Sequence, residues 1–404
     1  MLLLGRGLAP TEFGIFALIN SICLLMFGFH ANLIISPLVV LGAPANPSRS
    51  RTYPTAAMCF TFLLLPASFL AVFLASVSLH REQLGLTASL YVLAWQLQET
   101  TRRSLTAKLR YREAILGDAI SYLGQALFLG VLMMCLRTTL TCVFAVMTAT
   151  SLFAATLQCW QGRFARPTWN ELRHHIGDFW ILARWLIVVS LASALAGPLF
   201  PWLLNWFHGK STVASYQAVM NVLGLANPLI LTIPAIVMPA VATSLQNNGL
   251  KGSKLHTLAM RYSLQFEFLI APWLIVLLIW PRGALMAFYG KVTPYASQTT
   301  ALRVGILVYI LTVPMTVFGA VLTGAGKTKS NAAMQFAGAV ASLLCAPPLI
   351  YVGGVVGTIL ADTAARGSRV WYADRAIRYF SNADCTIKTN IAESQEVLDR
   401  PSLT

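Results

Sequence analysis

Five ionisable residues stand in, or at the ends of, long apolar runs: Arg184, Glu267, Arg303, Arg366 and Arg369. Charge in such a setting is costly, and its default reading is functional. Arginine there suits an anion, because its planar fork binds carboxylate or phosphate oxygens in pairs. Asp362, Arg366 and Arg369 are spaced i, i+4, i+7 and share one helical face. Asp362 can neutralise one of the two arginines and leave one net positive charge. Arg184 has two other readings, snorkelling to an interface or pairing with Asp178. Arg303, close to the end of its run, also reads as an interfacial anchor. Glu267 could take a proton or a cation, or serve as a structural hydrogen-bonding acid. Arg261 lies six residues before it, which is poor spacing for a same-face pair.

Other chemistry is thin. The seven cysteines include no CxxC, the six histidines no HExxH, and no metal-ligand spacing occurs. No GxxxxGK[ST] loop is present, so the chain itself has no phosphate cradle of that kind. No cofactor or metal is expected. His174 and His175 read as solvated members of a basic stretch. Asp118, five residues after Glu113, reads as an acid favouring a helix N-terminus. Pro234, Pro239 and Pro314 interrupt apolar helices, and the kinks they impose can act as hinges. Trp180, Trp185, Trp202 and Trp206 read as interfacial aromatics, with sugar stacking open to Trp202 or Trp206.

The elements that must carry these residues follow from composition. Of 404 residues, 57% are hydrophobic and only 11% charged, against about 25% charged in ordinary soluble domains. So little charge cannot coat a soluble chain of this size, which excludes most soluble enzymes. Charge is absent from 13–48, 52–80, 138–162, 185–209, 211–250, 304–326 and 330–361. A membrane-crossing helix needs about 20 such residues. The runs are continuous rather than alternating, which argues against a barrel. The division predicts eleven helical spans, near 13–39, 55–79, 84–103, 114–136, 139–159, 177–206, 212–243, 259–281, 297–323, 330–351 and 353–379. The fold class is all-α, a polytopic membrane helix bundle. The residues from 381 onward read as a polar, unstructured tail.

The net charge of +15 would suggest nucleic acid in a soluble protein. In a membrane chain it reads as basic loops held in the cytoplasm, and no nucleic-acid partner is expected. Lys and Arg in alternating loops divide 21 to 7, which predicts a cytoplasmic C-terminus and an outer N-terminus. Residues 1–10 are too short for a span yet read like the end of one, so a first helix is expected ahead of residue 1.

Arg6, Gly7, Leu8, Ala9, Pro10, Thr11, Glu12, Phe13 and Gly14 resemble the R-x-L-G-P-x-E-[FY]-G segment of the multidrug/oligosaccharidyl-lipid/polysaccharide (MOP) export superfamily. The likeness is to its polysaccharide biosynthesis branch, the Wzx-type flippases, with Ala9 in place of Gly. Segments 101–123, 197–242 and 288–329 are similar in the same order. The resemblance implies two six-helix lobes, with the first helix missing. The expected divisions are a first bundle over 1–160, a cytoplasmic connection over 161–176, a second bundle over 177–380 and the tail over 381–404. It also implies a flippase that moves an isoprenoid-diphosphate-linked oligosaccharide across a bacterial inner membrane for surface polysaccharide synthesis, by alternating access. Arg184, Arg303, Arg366 and Arg369 would then be cavity cations for the diphosphate, Glu267 a coupling acid, and Arg6, Pro10, Glu12 and Gly14 the family loop. The implied partners are the lipid-linked substrate, membrane lipid, a polysaccharide polymerase and a chain-length regulator. The alternatives are a cation-coupled drug or metabolite exporter, and a membrane glycosyltransferase, polymerase or ligase. The few acids and short loops on the outer side speak against the enzymes.

Overall fold

Long apolar segments satisfy their backbone groups internally by coiling, and helix dominates the chain. The computed structural model describes residues 1–41, 47–135, 138–162, 164, 168–248, 252–291 and 293–398. No strand occurs among them. In order the helices are α1 Leu2–Gly7, α2 Pro10–His30, α3 Ser36–Leu41, α4 Pro47–Ser78, α5 Glu82–Ala107, α6 Tyr111–Asp118, α7 Gly124–Cys135 and α8 Leu140–Gly162. Then follow α9 Trp169–Ala196, α10 Leu199–His208, α11 Lys210–Leu223, α12 Asn227–Asn248, α13 Gly252–Ile279, α14 Pro281–Tyr289, α15 Thr299–Gly324 and α16 Thr328–Leu398. Two π-helical segments, Ala31–Ile35 and Ala119–Leu123, join α2 to α3 and α6 to α7 without a break.

Eight segments of the described residues are long and apolar enough to cross a membrane: Pro10–Val39, Thr52–Ser78, Tyr111–Met134, Leu140–Gly162, Lys210–Val241, Leu255–Ile279, Thr299–Gly324 and Thr328–Phe380. The chain is a multi-pass membrane protein. The eighth segment contains two of the expected spans, merged across Gly354, whose φ of 51° and ψ of −122° turn the chain back. Gly357 then lies against the Leu349 carbonyl, where a Cβ would stand 1.8 Å from the oxygen.

Three expectations need correction. The span at 177–206 is not one helix: α9 ends at Ala196, and α10 starts after Gly197-Pro198, a pair that lacks a donor and constrains the residue before it. The span at 84–103 is helical as α5 but falls outside the apolar set, because Gln96, Gln98, Glu99, Thr100 and Thr101 dilute it. The tail is helical to Leu398, in keeping with its Ala, Glu, Gln and Leu content.

By contact the chain forms two units, Met1–Ala218 with Met286–Ala296, and Val219–Leu285 with Ser297–Thr404. Helix α9, grouped by the sequence with the second bundle, packs on α2, α3, α4 and the Ala31–Ile35 segment of the first. Its start is a capping box: the Thr168 N–H and hydroxyl donate to Glu171 Oε2 at 2.7 and 2.9 Å, and the Glu171 N–H returns to Thr168 Oγ1 at 3.4 Å. These bonds hold the Glu171 carboxyl below the usual glutamate range.

A file of aromatic rings runs through the first unit. Phe27 stacks on Trp95 at 4.4 Å, Trp95 on Tyr91 at 5.8 Å, and Tyr91 meets Phe144 at 5.9 Å. Phe144 stacks on Phe16 at 5.4 Å, and Phe13 meets Tyr295, which meets Tyr289. Helices α2, α5 and α8 are thus pinned by large side chains, each such pair contributing about 0.5–1.5 kcal/mol beyond its burial.

Candidate functional site

The second unit holds a polar cluster where α12, α15 and the second half of α16 meet. Spacing of i, i+4 places Asp362 under Arg366, and they form a two-pronged pair, Nε–Oδ1 and Nη2–Oδ2 both at 3.0 Å. Arg366 Nη1 reaches across to Thr312 Oγ1 on α15 at 2.7 Å. That hydroxyl gives its own proton to the Val308 carbonyl, so it meets Arg366 as an acceptor. One turn away the Tyr309 hydroxyl donates to Asn227 Oδ1 on α12 at 2.8 Å.

Arg369, one further turn along α16, is only 8% exposed. Its Nη1 lies 3.7 Å from Met315 Sδ, and its buried Nε has no hydrogen-bond partner. No carboxylate pairs with it among the described residues. Gly338 makes room for it: a Cβ there would stand 2.0 Å from Nε. Among the described residues the cluster therefore carries Asp362 against two guanidiniums, one net positive charge in an apolar interior. A buried cation left without a partner is strongly unfavourable. The arrangement can bind an anion that brings two or more oxygens.

Within the same unit, Arg303 and Glu267 lie apart from this cluster. Arg303 is exposed, with Nε 3.4 Å from the Leu278 carbonyl. Arg184 lies on the α9 backbone, and its side chain is outside the described residues. Its suggested partner Asp178 accepts from the Tyr53 hydroxyl at 2.5 Å. Glu267 lies midway along α13, in an apolar groove of about 460 Å³ with Leu264, Phe268, Ala271, Leu274, Ile306 and Ile310. Pro234 and Pro239 lie within α12 and Pro314 within α15. Pro314 stands two residues after Thr312, so any bend in α15 moves the Arg366 acceptor.

The family-motif loop has structural work in the first unit. Pro10 is the first residue of α2, where its missing N–H is not needed. Glu12, in the first turn, pairs with Arg81 at 2.5 Å beside a cleft of about 650 Å³ formed with His80 and Thr138–Thr141. Gly14 lets α2 approach the start of α11, where a Cβ would stand 1.9 Å from the Lys210 carbonyl oxygen. Arg6 is exposed.

The reading of His175 is corrected. It is buried on α9, its ring centroid 4.2 Å from that of Tyr53 in a tilted contact and its Nε2 3.0 Å from Thr52 Oγ1, while His174 is exposed. Helical periodicity puts successive residues on different faces, so one of two adjacent histidines turns inward.

A second polar system went unread in the sequence. Gln96, Gln98, Glu99, Thr100, Thr101 and Ser104 of α5 are all buried. Gln96 donates to Ser68 and the Met26 carbonyl, Gln98 accepts from Ser121, and Thr101 donates to Gln158. Glu99 binds Arg102 and Arg103 at 2.6 and 2.7 Å, and Arg102 also reaches Asp118 at 3.4 Å. The signal was present as a dense polar stretch in a would-be span.

No family model and no curated protein matches the sequence. Solved structures do match. An inward-facing multidrug-resistance MATE-family transporter of the MOP superfamily aligns with TM-score 0.78 at 12% identity, over 95% of this chain and 94% of that one. The lipid II flippase MurJ, in an inward closed conformation, aligns with TM-score 0.70 at 13% identity, over 97% and 89%. A MOP-superfamily transporter from Pyrococcus furiosus, whose reversed binding-pocket polarity is taken to suggest a different function, aligns with TM-score 0.63 at 12% identity, over 96% and 88%. The chain has the fold of the MOP-superfamily transporters.

Proposed function

We propose that this protein is a flippase for an isoprenoid-diphosphate-linked oligosaccharide, serving surface polysaccharide synthesis in a bacterial inner membrane. The observation that carries the reading is the uncompensated Arg369 beside the Asp362–Arg366 pair. A diphosphate supplies the paired oxygens and negative charge that such a cluster lacks. The isoprenoid tail stays in lipid while the head group crosses. Two lobes, followed by a cytoplasmic tail, alternate access from side to side. Arg184 and Arg303 serve the same substrate from other parts of the path. A polymerase and a chain-length regulator are the expected partners. The protein performs no catalysis itself.

The second reading is a cation-coupled exporter, favoured by the MATE-family match and by Glu267, an acid midway along α13 in an apolar groove. Deleting the gene and complementing it with wild type or Arg369→Met tests both. The flippase reading expects loss of surface polysaccharide and build-up of lipid-linked repeat units, restored by wild type and not by Arg369→Met. Unchanged polysaccharide with raised sensitivity to toxic cations overturns it in favour of the exporter.

A further inference from the structure

His30 ends α2 and is fully buried, with 0% exposure. Its Nε2 lies 3.2 Å from Thr61 Oγ1 on α4 and 3.0 Å from Thr100 Oγ1 on α5, and the two hydroxyls are 2.8 Å apart. Each hydroxyl has one proton to give. Thr61 is placed to give its proton to the Ala57 carbonyl at 2.9 Å, and Thr100 to the Gln96 carbonyl at 3.0 Å. With those protons committed, both oxygens face Nε2 as acceptors; the tautomer with the proton on Nε2 fits this arrangement, whereas the other would bury an unpaired Nδ1–H. Nδ1 is then bare, and it is buried with no hydrogen-bond partner.

An orphaned basic nitrogen in a dry interior calls for an explanation. The backbone beside it supplies one. The π segment Ala31–Ile35 starts at the next residue and is closed by the Ser36 N–H on the Ala31 carbonyl. Such segments hold one residue more than an α turn, and they concentrate at functional positions.

We propose that His30 Nδ1 is a binding site for one proton, loaded when the π segment rearranges. The proton comes from water and converts the neutral ring to imidazolium, with Nε2–H still held by the two threonine oxygens. The groups around it are Phe27 on α2, Thr61 on α4, and Thr100 and Glu99 on α5. Glu99 is the charged one among the described residues, and it is shared with Arg102 and Arg103. The proposal is independent of what the protein carries.

The test is nitrogen NMR of the full chain, labelled with ¹⁵N-histidine and reconstituted in phospholipid bilayers. The His30 signals are assigned by their loss in His30→Gln, or by their shift in Thr100→Val if His30→Gln does not fold. The expected result near neutral pH is a protonated Nε2 with a bare Nδ1. Acidification then protonates Nδ1, with a midpoint that falls by about one unit in Glu99→Gln, as expected for loss of a nearby opposite charge. A proton on Nδ1 near neutral pH, a ring that stays neutral down to acid unfolding, or a midpoint indifferent to Glu99→Gln overturns it.

Discussion

Gly338 lies directly against Arg369: a Cβ built on it would stand 2.0 Å from Nε and 2.6 Å from Cγ. The two residues belong to opposite halves of α16, so the guanidinium is threaded through a gap that only glycine leaves. Gly338→Val therefore pushes Arg369 out of its slot without changing any charge. The expected outcome is a loss of complementation like that of Arg369→Met, in a protein that still inserts and folds. Normal complementation by Gly338→Val would show that the slot does not matter.

Arg369→Met separates function from stability. A lone buried cation costs stability, so its replacement by an apolar chain of similar length should leave the melting temperature in detergent unchanged or raised. Polysaccharide export should fall at least tenfold, the loss of one charge-assisted contact of about 1.5–3 kcal/mol. Arg369→Lys should recover little, because a point charge does not reproduce a two-oxygen fork. Parallel melting and complementation of both variants check this.

Asp362→Asn removes the carboxylate paired with Arg366 and, among the described residues, leaves the two arginines without a counter-charge. A loss of about 3–5 kcal/mol is expected, the usual effect of breaking a buried pair. Adding Arg366→Met should return most of it, because the pair is then replaced rather than broken. Melting of the single and double variants measures the coupling.

Gly14→Ala meets the Lys210 carbonyl, and backbone cannot rotate away as a side chain can. The expected loss is about 1–3 kcal/mol, as for overpacking elsewhere. Arg6→Ala, at an exposed site, should stay within about 0.5 kcal/mol. Detergent melting curves of the two variants suffice.

The capping box at Thr168–Glu171 gives a pH dependence with a definite sign. The folded carboxyl is held below its unfolded value by hydrogen bonds from Thr168. Its contribution is present above the ordinary glutamate range and is lost as pH falls through the lowered value. Amide exchange at the start of α9 should therefore quicken, beyond its intrinsic pH trend, on acidification. Thr168→Ala should abolish that extra response.

Much of this was legible because hydrocarbon imposes a one-dimensional rule. A charge-free run of twenty or more residues reads as helix whatever packs against it, and most such runs are helical here. The Asp362–Arg366 contact was legible too, since it depends only on i, i+4 spacing. Thr312 and Gly338 were not, because nothing local says which turn of α15 or of the first half of α16 faces Arg369. The π segments were equally hidden: they arise where neighbours fix both ends of a helix that carries one residue too many. The break before α10 was announced by Gly197-Pro198, and α14 by Pro281 at its start and Gly290 after it. Those signals were local and were outweighed by apolar content.

The reversal at Gly354 bears on how the chain enters its membrane. The second half of α16 carries Asp362, Arg366 and Arg369, each costing about 2.5–3.5 kcal/mol at a helix centre during insertion. Alone, that half would be a poor client for the insertion machinery. The preceding half, with its apolar run over 330–351, is a good one. Because Gly357 is pressed against Leu349, the two are joined with almost no slack. They must enter as one hairpin, and the apolar arm carries the charged arm into lipid.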